Sequence, residues 1–181
     1  MSLLQDVVKI LEARGIPHAL IGAAAMAVHG VSRATADVDL LTVDTAVLRR
    51  DLWKEVLQGG ASLTLLKGDD EDPLAGNVRL SRAGERTVDV VVGRHAWQQE
   101  IIDSATKVMM GGFEIGVVTP AGLVLLKLDA GGPKDAWDVR SILDSAGDAV
   151  TLKAEVAGMI RRLSPEARRL WKRLRDEAGV E

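Results

Sequence analysis

The chain has no cysteine, no tyrosine and a single phenylalanine. Without thiols it forms no disulfide, offers no thiolate nucleophile and builds no cysteine-based zinc site. Aromatic packing is left to four tryptophans and that one Phe, so the core must be made mainly of Leu, Val, Ile and Ala. Histidine is equally scarce: His18, His29 and His95 are the three present, and none has a His or Glu partner at helical metal-binding spacing. No apolar run reaches the roughly 18 residues of a membrane span. The first residues, Met1-Ser2-Leu3-Leu4-Gln5-Asp6, lack the basic start and apolar stretch of a signal peptide. The expectation is a cytoplasmic protein with no membrane association.

What is present suits a packed α/β domain. The chain is 181 residues long, 47% hydrophobic and 27% charged, enough for one domain or for one domain with a small helical annex. Its net charge of −3 is unevenly spread. Residues 161–181 carry seven Lys/Arg against four Asp/Glu, whereas residues 1–160 carry sixteen against twenty-two. An acidic body with a basic end fits a nucleic-acid partner, although a basic amphipathic helix is most often a solvated face.

Apolar periodicity predicts a helix over 3–14, stopped at Gly15. A short buried strand follows at Ala19-Leu20-Ile21, ending at Gly22. An Ala-rich helix over Ala23–His29 ends at Gly30. Strands are expected at 38–43, 62–66, 77–81, 87–92 and 113–118, with Ala83-Gly84-Glu85 turning a hairpin. Helices are expected at 45–58, capped by Asp44, and at 96–103. The stretch Lys67–Pro73 reads as a loop, and its acids Asp69–Asp72 as solvated. From Pro120 onward the pattern is helical throughout. Pro133 and Pro165 sit at first helical positions, and Ser164 is an N-cap. The expected organisation is a short mixed sheet layered with helices over 1–119 and a helical segment over 120–181 packed on that core.

The most informative stretch is Gly22–Leu41. Asp37 and Asp39 are separated by one residue, and on a strand positions i and i+2 share a face. Two carboxylates side by side repel, and a hard divalent cation such as Mg²⁺ makes that arrangement favourable through oxygen ligands. Asp89 is the one charge in the apolar run Thr87-Val-Asp-Val-Val-Val92, where a lone carboxylate is costly unless it is paired or metal-bound. If the two strands are neighbours, three acids converge in a way that suits two metal ions. Gly22 leaves room at the start of the Ala-rich helix for a triphosphate to approach the backbone N–H groups there. An isolated Asp-x-Asp is common in solvated loops and caps; the combination with the Gly turn and the strand Asp is what points to a metal site.

These residues, Gly22 through Leu41 and Val88-Asp89-Val90, resemble the nucleotidyltransferase superfamily with the DNA polymerase beta-like palm. The likeness is nearer to bacterial nucleotidyltransferases of the abortive-infection and toxin–antitoxin type. Members share a Gly turn, a short helix, Arg-x-Thr-x-Asp-x-Asp and a later strand Asp. They often carry a helical segment similar to Pro120–Lys127 and Gly132–Val139, so the likeness spans about residues 18–143. It implies an α/β fold with a short mixed sheet. It also implies transfer of a nucleoside monophosphate from a nucleoside triphosphate, such as ATP, with two Mg²⁺ ions. By position, Asp37, Asp39 and Asp89 would be the catalytic metal ligands, with Asp89 helping to activate the acceptor hydroxyl. Gly22 and Ala23 would shape the phosphate turn. Arg33, Lys127 and Lys134 would serve nucleotide binding, with Asp135 and Asp138 orienting them. RNA (tRNA-like) or protein are the implied acceptors, and a cognate antitoxin the implied partner. Ala23 departs from the family, which often has Ser or Gly there; it keeps the backbone N–H but offers no hydroxyl. A non-catalytic binding member and an antibiotic-modifying enzyme are the alternatives.

Each residue also has a plainer reading. Arg33 is a solvated loop arginine, Thr35 a local backbone cap, and Lys127 a lysine snorkelling from a core helix. Lys134, Asp135 and Asp138 are helix-start charges, a reading preferred for Asp135. His29 reads as structural, and Trp137 and Trp171 as core. The basic residues of 161–175 line one face of a terminal helix.

Overall fold

A computed structural model describes residues 2–32, 35–70 and 72–177. The chain groups into two compact units, one of Met1–Ala24 with Ala34–Val118 and one of Ala25–Arg33 with Thr119–Glu181.

The first unit is built on a seven-stranded mixed sheet. Its strands are β1 (Ala19–Ile21), β2 (Asp37–Thr42), β3 (Ser62–Lys67), β4 (Gly76–Ser81), β5 (Thr87–Val92), β6 (Thr106–Met110) and β7 (Phe113–Val117), in the order β3-β4-β5-β2-β1-β7-β6. The pairs β2–β5 and β1–β7 are parallel, and the others are antiparallel. One face is apolar: Val38, Leu40, Val78, Leu80, Val88, Val90 and Val92 are all buried. Helix α1 (Leu3–Ala13) packs on β5 with Leu3, Val7, Val8 and Leu11 inward. Its start is fixed by reciprocal bonds, with Gln5 N donating to Ser2 Oγ and Ser2 N donating to Gln5 Oε1. Helix α2 (Gly22–Val28) leaves β1 directly.

Two parts of this unit differ from the sequence expectation. The helix expected over 45–58 is two 3₁₀ turns, Thr45–Leu48 and Arg50–Trp53, followed by a short α3 (Lys54–Gln58). Asp44 is a cap as expected, its Oδ1 accepting from Ala46 N at 2.8 Å. However, Arg49 is extended, and buried Trp53 donates its indole N–H to the Val47 carbonyl at 2.8 Å. That carbonyl is the acceptor a continuous helix would need four residues later. The second difference is β6, an edge strand the sequence reading passed over. It pairs with β7 across Gly111-Gly112, both at positive φ. Helix α4 (Ala96–Asp103) precedes it.

The second unit is helical: α5 (Pro120–Ala130), α6 (Pro133–Ser145), α7 (Ala149–Met159) and α8 (Pro165–Glu177). Helix α5 is its centre, in contact with α6, α7 and α8. Its first turn is capped by Thr119 Oγ1, which accepts from Gly122 N, and it ends on left-handed Gly131. Ser164 Oγ caps α8, accepting from Ala167 N. Helix α8 buries Ala167, Trp171 and Leu174. Trp137, expected in the core, is 56% exposed. The stripe α6 buries is Asp138, Val139, Ile142 and Leu143, and position 137 falls outside it. No helix among the described residues is long and apolar enough to cross a membrane.

Candidate active site

The parallel pairing of β2 with β5 sets Asp39 directly opposite Asp89. Asp37 shares their face, two residues earlier on β2. The three acids therefore stand on one side of two adjacent strands, while Val38, Leu40, Val88 and Val90 fill the other. Exposure falls across the set. The Asp37 side chain is 42% exposed, whereas that of Asp89 is 7% exposed.

The turn after β1 adjoins them. Ile21 pairs with Asp39, and Gly22 follows at φ +64°. A Cβ at position 22 would stand 2.1 Å from Asp39 Oδ2. Glycine is thus required twice, for its left-handed backbone and for the close seat of that carboxylate. Ala23 is buried and apolar, so the turn presents no hydroxyl there. Thr35 Oγ1 bonds the Asp37 backbone on both sides, donating to its carbonyl at 3.1 Å and accepting from its N–H at 3.2 Å. That is the local cap expected of it, and it fixes the chain entering β2.

Two residues that sequence reasoning missed complete the arrangement. The β4–β5 hairpin sets Arg79 opposite Asp89. Its guanidinium forks onto the carboxylate, with Nε donating to Oδ1 at 2.9 Å and Nη2 to Oδ2 at 2.7 Å. The same Nη2 reaches Asp37 Oδ2 at 3.4 Å. Asn77 Nδ2 donates to Asp89 Oδ1 at 3.1 Å, while Asn77 Oδ1 is buried without a hydrogen-bond partner. The bond to Asp89 and its charge outweigh burial and lift Arg79 above the ordinary arginine range, with Asp37 and Asp39 adding their fields. The sheet thus meets the clustered negative charge with an internal cation.

Whether a metal suits these residues turns on that cation. Among the described residues no group of three or more His, Asp or Glu is placed so that it could hold a metal ion, and Arg79 spans two of the three acids. The donor set itself fits. Three carboxylates on one face are hard oxygen ligands of the kind Mg²⁺ takes, and Asn77 beside them leaves one buried acceptor without a partner.

Of the other expected nucleotide-binding residues, two lie in the helical unit and one is not described. Arg33 lies outside the described residues. Lys127 and Lys134 belong to the helical unit. Lys127 Nζ bonds Asp135 Oδ1 at 2.9 Å and Asp138 Oδ2 at 2.7 Å, and Asp138 is fully buried. Burial opposes the Lys127 charge, but its bonds to Asp138 and Asp135 win and hold the ammonium above the usual lysine value. Asp135 Oδ2 also accepts from Gly132 N, the helix-start role preferred for it. Lys134 is exposed.

No protein-family model matches the chain, and no curated protein sequence matches it. Solved structures do. The crystal structure of ANT(2'')-Ia in complex with adenylyl-2''-tobramycin aligns at TM-score 0.55 and 16% identity, over 88% of this chain and 96% of that one. The solution structure of the same antibiotic-resistance factor aligns at 0.53 and 14%, over 88% and 90%. The Megavirus polyadenylate synthase aligns at 0.50 and 8%, over 79% of this chain and 30% of that one. The chain thus shares the mixed α/β fold of these solved structures, the fold class expected from the sequence.

Proposed function

We propose that the chain is a Mg²⁺-dependent nucleotidyltransferase that moves a nucleoside monophosphate from a nucleoside triphosphate to an acceptor hydroxyl. The observation that supports this most is the register that sets Asp39 against Asp89, with Asp37 on the same face and Gly22 making room beside Asp39. In the reaction the acceptor oxygen bonds to the α-phosphorus, the bond from that phosphorus to the bridging oxygen breaks, and pyrophosphate leaves. Asp37, Asp39 and Asp89 would hold the Mg²⁺, which supplies charge neutralisation and a more acidic acceptor hydroxyl. Val38 and Leu40 anchor β2 in the core and so hold the two acids of that strand in orientation. The Gly22–Ala23 turn offers backbone N–H groups to the donor phosphates. Asp89 takes up the acceptor's proton once its oxygens are no longer both engaged by Arg79.

For the acceptor, the basic exposed face of α8 favours RNA (tRNA-like) over protein. The sequence likeness to toxin–antitoxin members adds a toxin role with a neutralising partner. A second reading, an antibiotic-sized acceptor, is favoured by the near-complete mutual coverage with ANT(2'')-Ia. Ala23 is the feature that would suit a member binding nucleotide without turnover.

The test is transfer of label from each of the four nucleoside triphosphates, with Mg²⁺, to RNA, protein and aminoglycoside acceptors. Wild type should transfer, and Asp39→Ala should lose about 10²–10³ in rate, the scale of one lost electrostatic contact to a transition state. Equal behaviour of the two proteins on every nucleotide and acceptor would remove the enzyme reading. Calorimetric nucleotide binding without turnover would replace it with the binding-module reading.

A further inference from the structure

We propose that Arg79 is a built-in competitor of the catalytic cation: it holds Asp89 and Asp37 in the free protein and must release them before a divalent ion can be ligated. This rests on the metal-dependent reading above and deepens it by assigning a residue that sets the metal requirement of the site.

The argument begins with the lone pairs of Asp89. Its Oδ1 accepts from both Arg79 Nε and Asn77 Nδ2, and its Oδ2 accepts from Arg79 Nη2. A two-point guanidinium–carboxylate fork is among the stronger hydrogen-bonded pairs in proteins. Oδ1 is filled by two donors and Oδ2 keeps one lone pair, so an ion ligated there would meet the guanidinium's charge at close range, and cation and fork compete for Asp89. The two partners differ in freedom. The Asp89 side chain is 7% exposed and sits within a strand paired on both sides, whereas the Arg79 side chain is 50% exposed. In an exchange the acid stays and the arginine leaves toward solvent. Its looser contact to Asp37, at 3.4 Å, gives way first. Asn77 remains, and its buried, unpartnered Oδ1 faces no competing donor among the described residues. The guanidinium also explains how a face with three carboxylates is stable in a protein that has not yet met its metal. Without it, Asp89 would be a buried, unpaired charge.

The experiment measures Mn²⁺ binding by electron paramagnetic resonance, with and without a non-hydrolysable nucleoside triphosphate analogue. It compares wild type, Arg79→Gln, Arg79→Lys and Asp39→Asn, and follows the melting temperature of each with and without Mn²⁺. Arg79→Gln should bind Mn²⁺ about tenfold to hundredfold more tightly than wild type, the scale of a lost charge-assisted fork. It should melt lower without metal and gain more from Mn²⁺ than wild type does. Arg79→Lys, which keeps the charge but not the fork, should fall between. In wild type itself, the ¹⁵N–¹H signal of Arg79 Nε should shift and exchange faster with water on Mg²⁺ addition. That measurement decides the matter should Arg79→Gln not fold. Equal affinity of Arg79→Gln and wild type, with binding lost in Asp39→Asn, would overturn the competitor role and leave the metal site standing. So would an Arg79 signal unmoved at saturating Mg²⁺. No Mn²⁺ binding by wild type or Arg79→Gln, with or without nucleotide, would overturn the metal-dependent reading itself.

Discussion

At the scale of single residues, Gly22 is the most constrained position near the acids. Any side chain there meets both a left-handed backbone and the Asp39 carboxylate. Gly22→Ala should destabilise by about 1–3 kcal/mol and should weaken Mn²⁺ binding, because Asp39 must move. Gly84→Ala is the control. Gly84 has φ +78° but open space around its missing Cβ, so it should cost about 1–2 kcal/mol of backbone strain with metal binding intact. Urea unfolding and Mn²⁺ titration of both variants separate the two effects. Gly84 also shows how much of the site lay within reach of the sequence. The acids of β2 and β5 were legible because a charge inside an apolar strand stands out. Arg79 was not, because it looks like any solvent-facing arginine on an amphipathic strand. Yet it is as far before Gly84 as Asp89 is after it, so the hairpin turn alone sets the two opposite each other. Asn77 had no such signal; its role depends on side-chain reach across the ladder.

At the scale of elements, local composition indicated type better than extent. Glycine and proline marked β1, α2, α5 and α6 clearly, since Gly22, Pro120, Gly131 and Pro133 each stand where the backbone needs them. The segment 45–58 misled because its apolar spacing is helical while Trp53 claims a backbone carbonyl from within the turn, a tertiary event no local pattern announces. Strand β6 was missed although Gly111-Gly112 between two strand-like runs is a hairpin signal; its exposed edge position gives it little alternation to read. Lys127 was noticed as a charge in an apolar helix, and the structure shows that it joins α5 to α6. Truncating its buried partner, Asp138→Ala, should cost about 1.5–3 kcal/mol, the scale of one lost charge-assisted bond, since Lys127 keeps Asp135 at 2.9 Å; urea unfolding measures it. Because the folded state binds the Lys127 proton more tightly than the unfolded chain does, the contribution is full below about pH 10.4, the ordinary lysine value. It fades as pH rises through the higher folded value. Wild type should therefore lose more stability in strong alkali than Lys127→Met does.

For the molecule as a whole, the uneven charge seen in the sequence becomes a question about the acceptor. Arg168, Arg169, Lys172 and Arg173 are exposed on α8 while Trp171 and Leu174 are buried, so the basic side chains are held in solvent by the packing of the same helix. Arg169 is partly occupied by Glu166 at 2.6 Å, which leaves Arg168, Lys172 and Arg173 as the larger electrostatic reserve. A single-stranded RNA held by three or four such charges releases counterions, and its affinity falls with log salt at a slope of about −0.7 per phosphate neutralised. Reversing two of them, Arg168→Glu with Arg173→Glu, should flatten that slope by about 1.4 and weaken RNA use at low salt, while Mn²⁺ binding at the acids is unchanged. An aminoglycoside acceptor predicts the opposite sign. A polycation is attracted by the acidic body and repelled by α8, so the same double variant should bind it no worse. Filter binding of RNA across a salt series, set beside label transfer to an aminoglycoside by the same two proteins, distinguishes the acceptors through the direction of one change in charge.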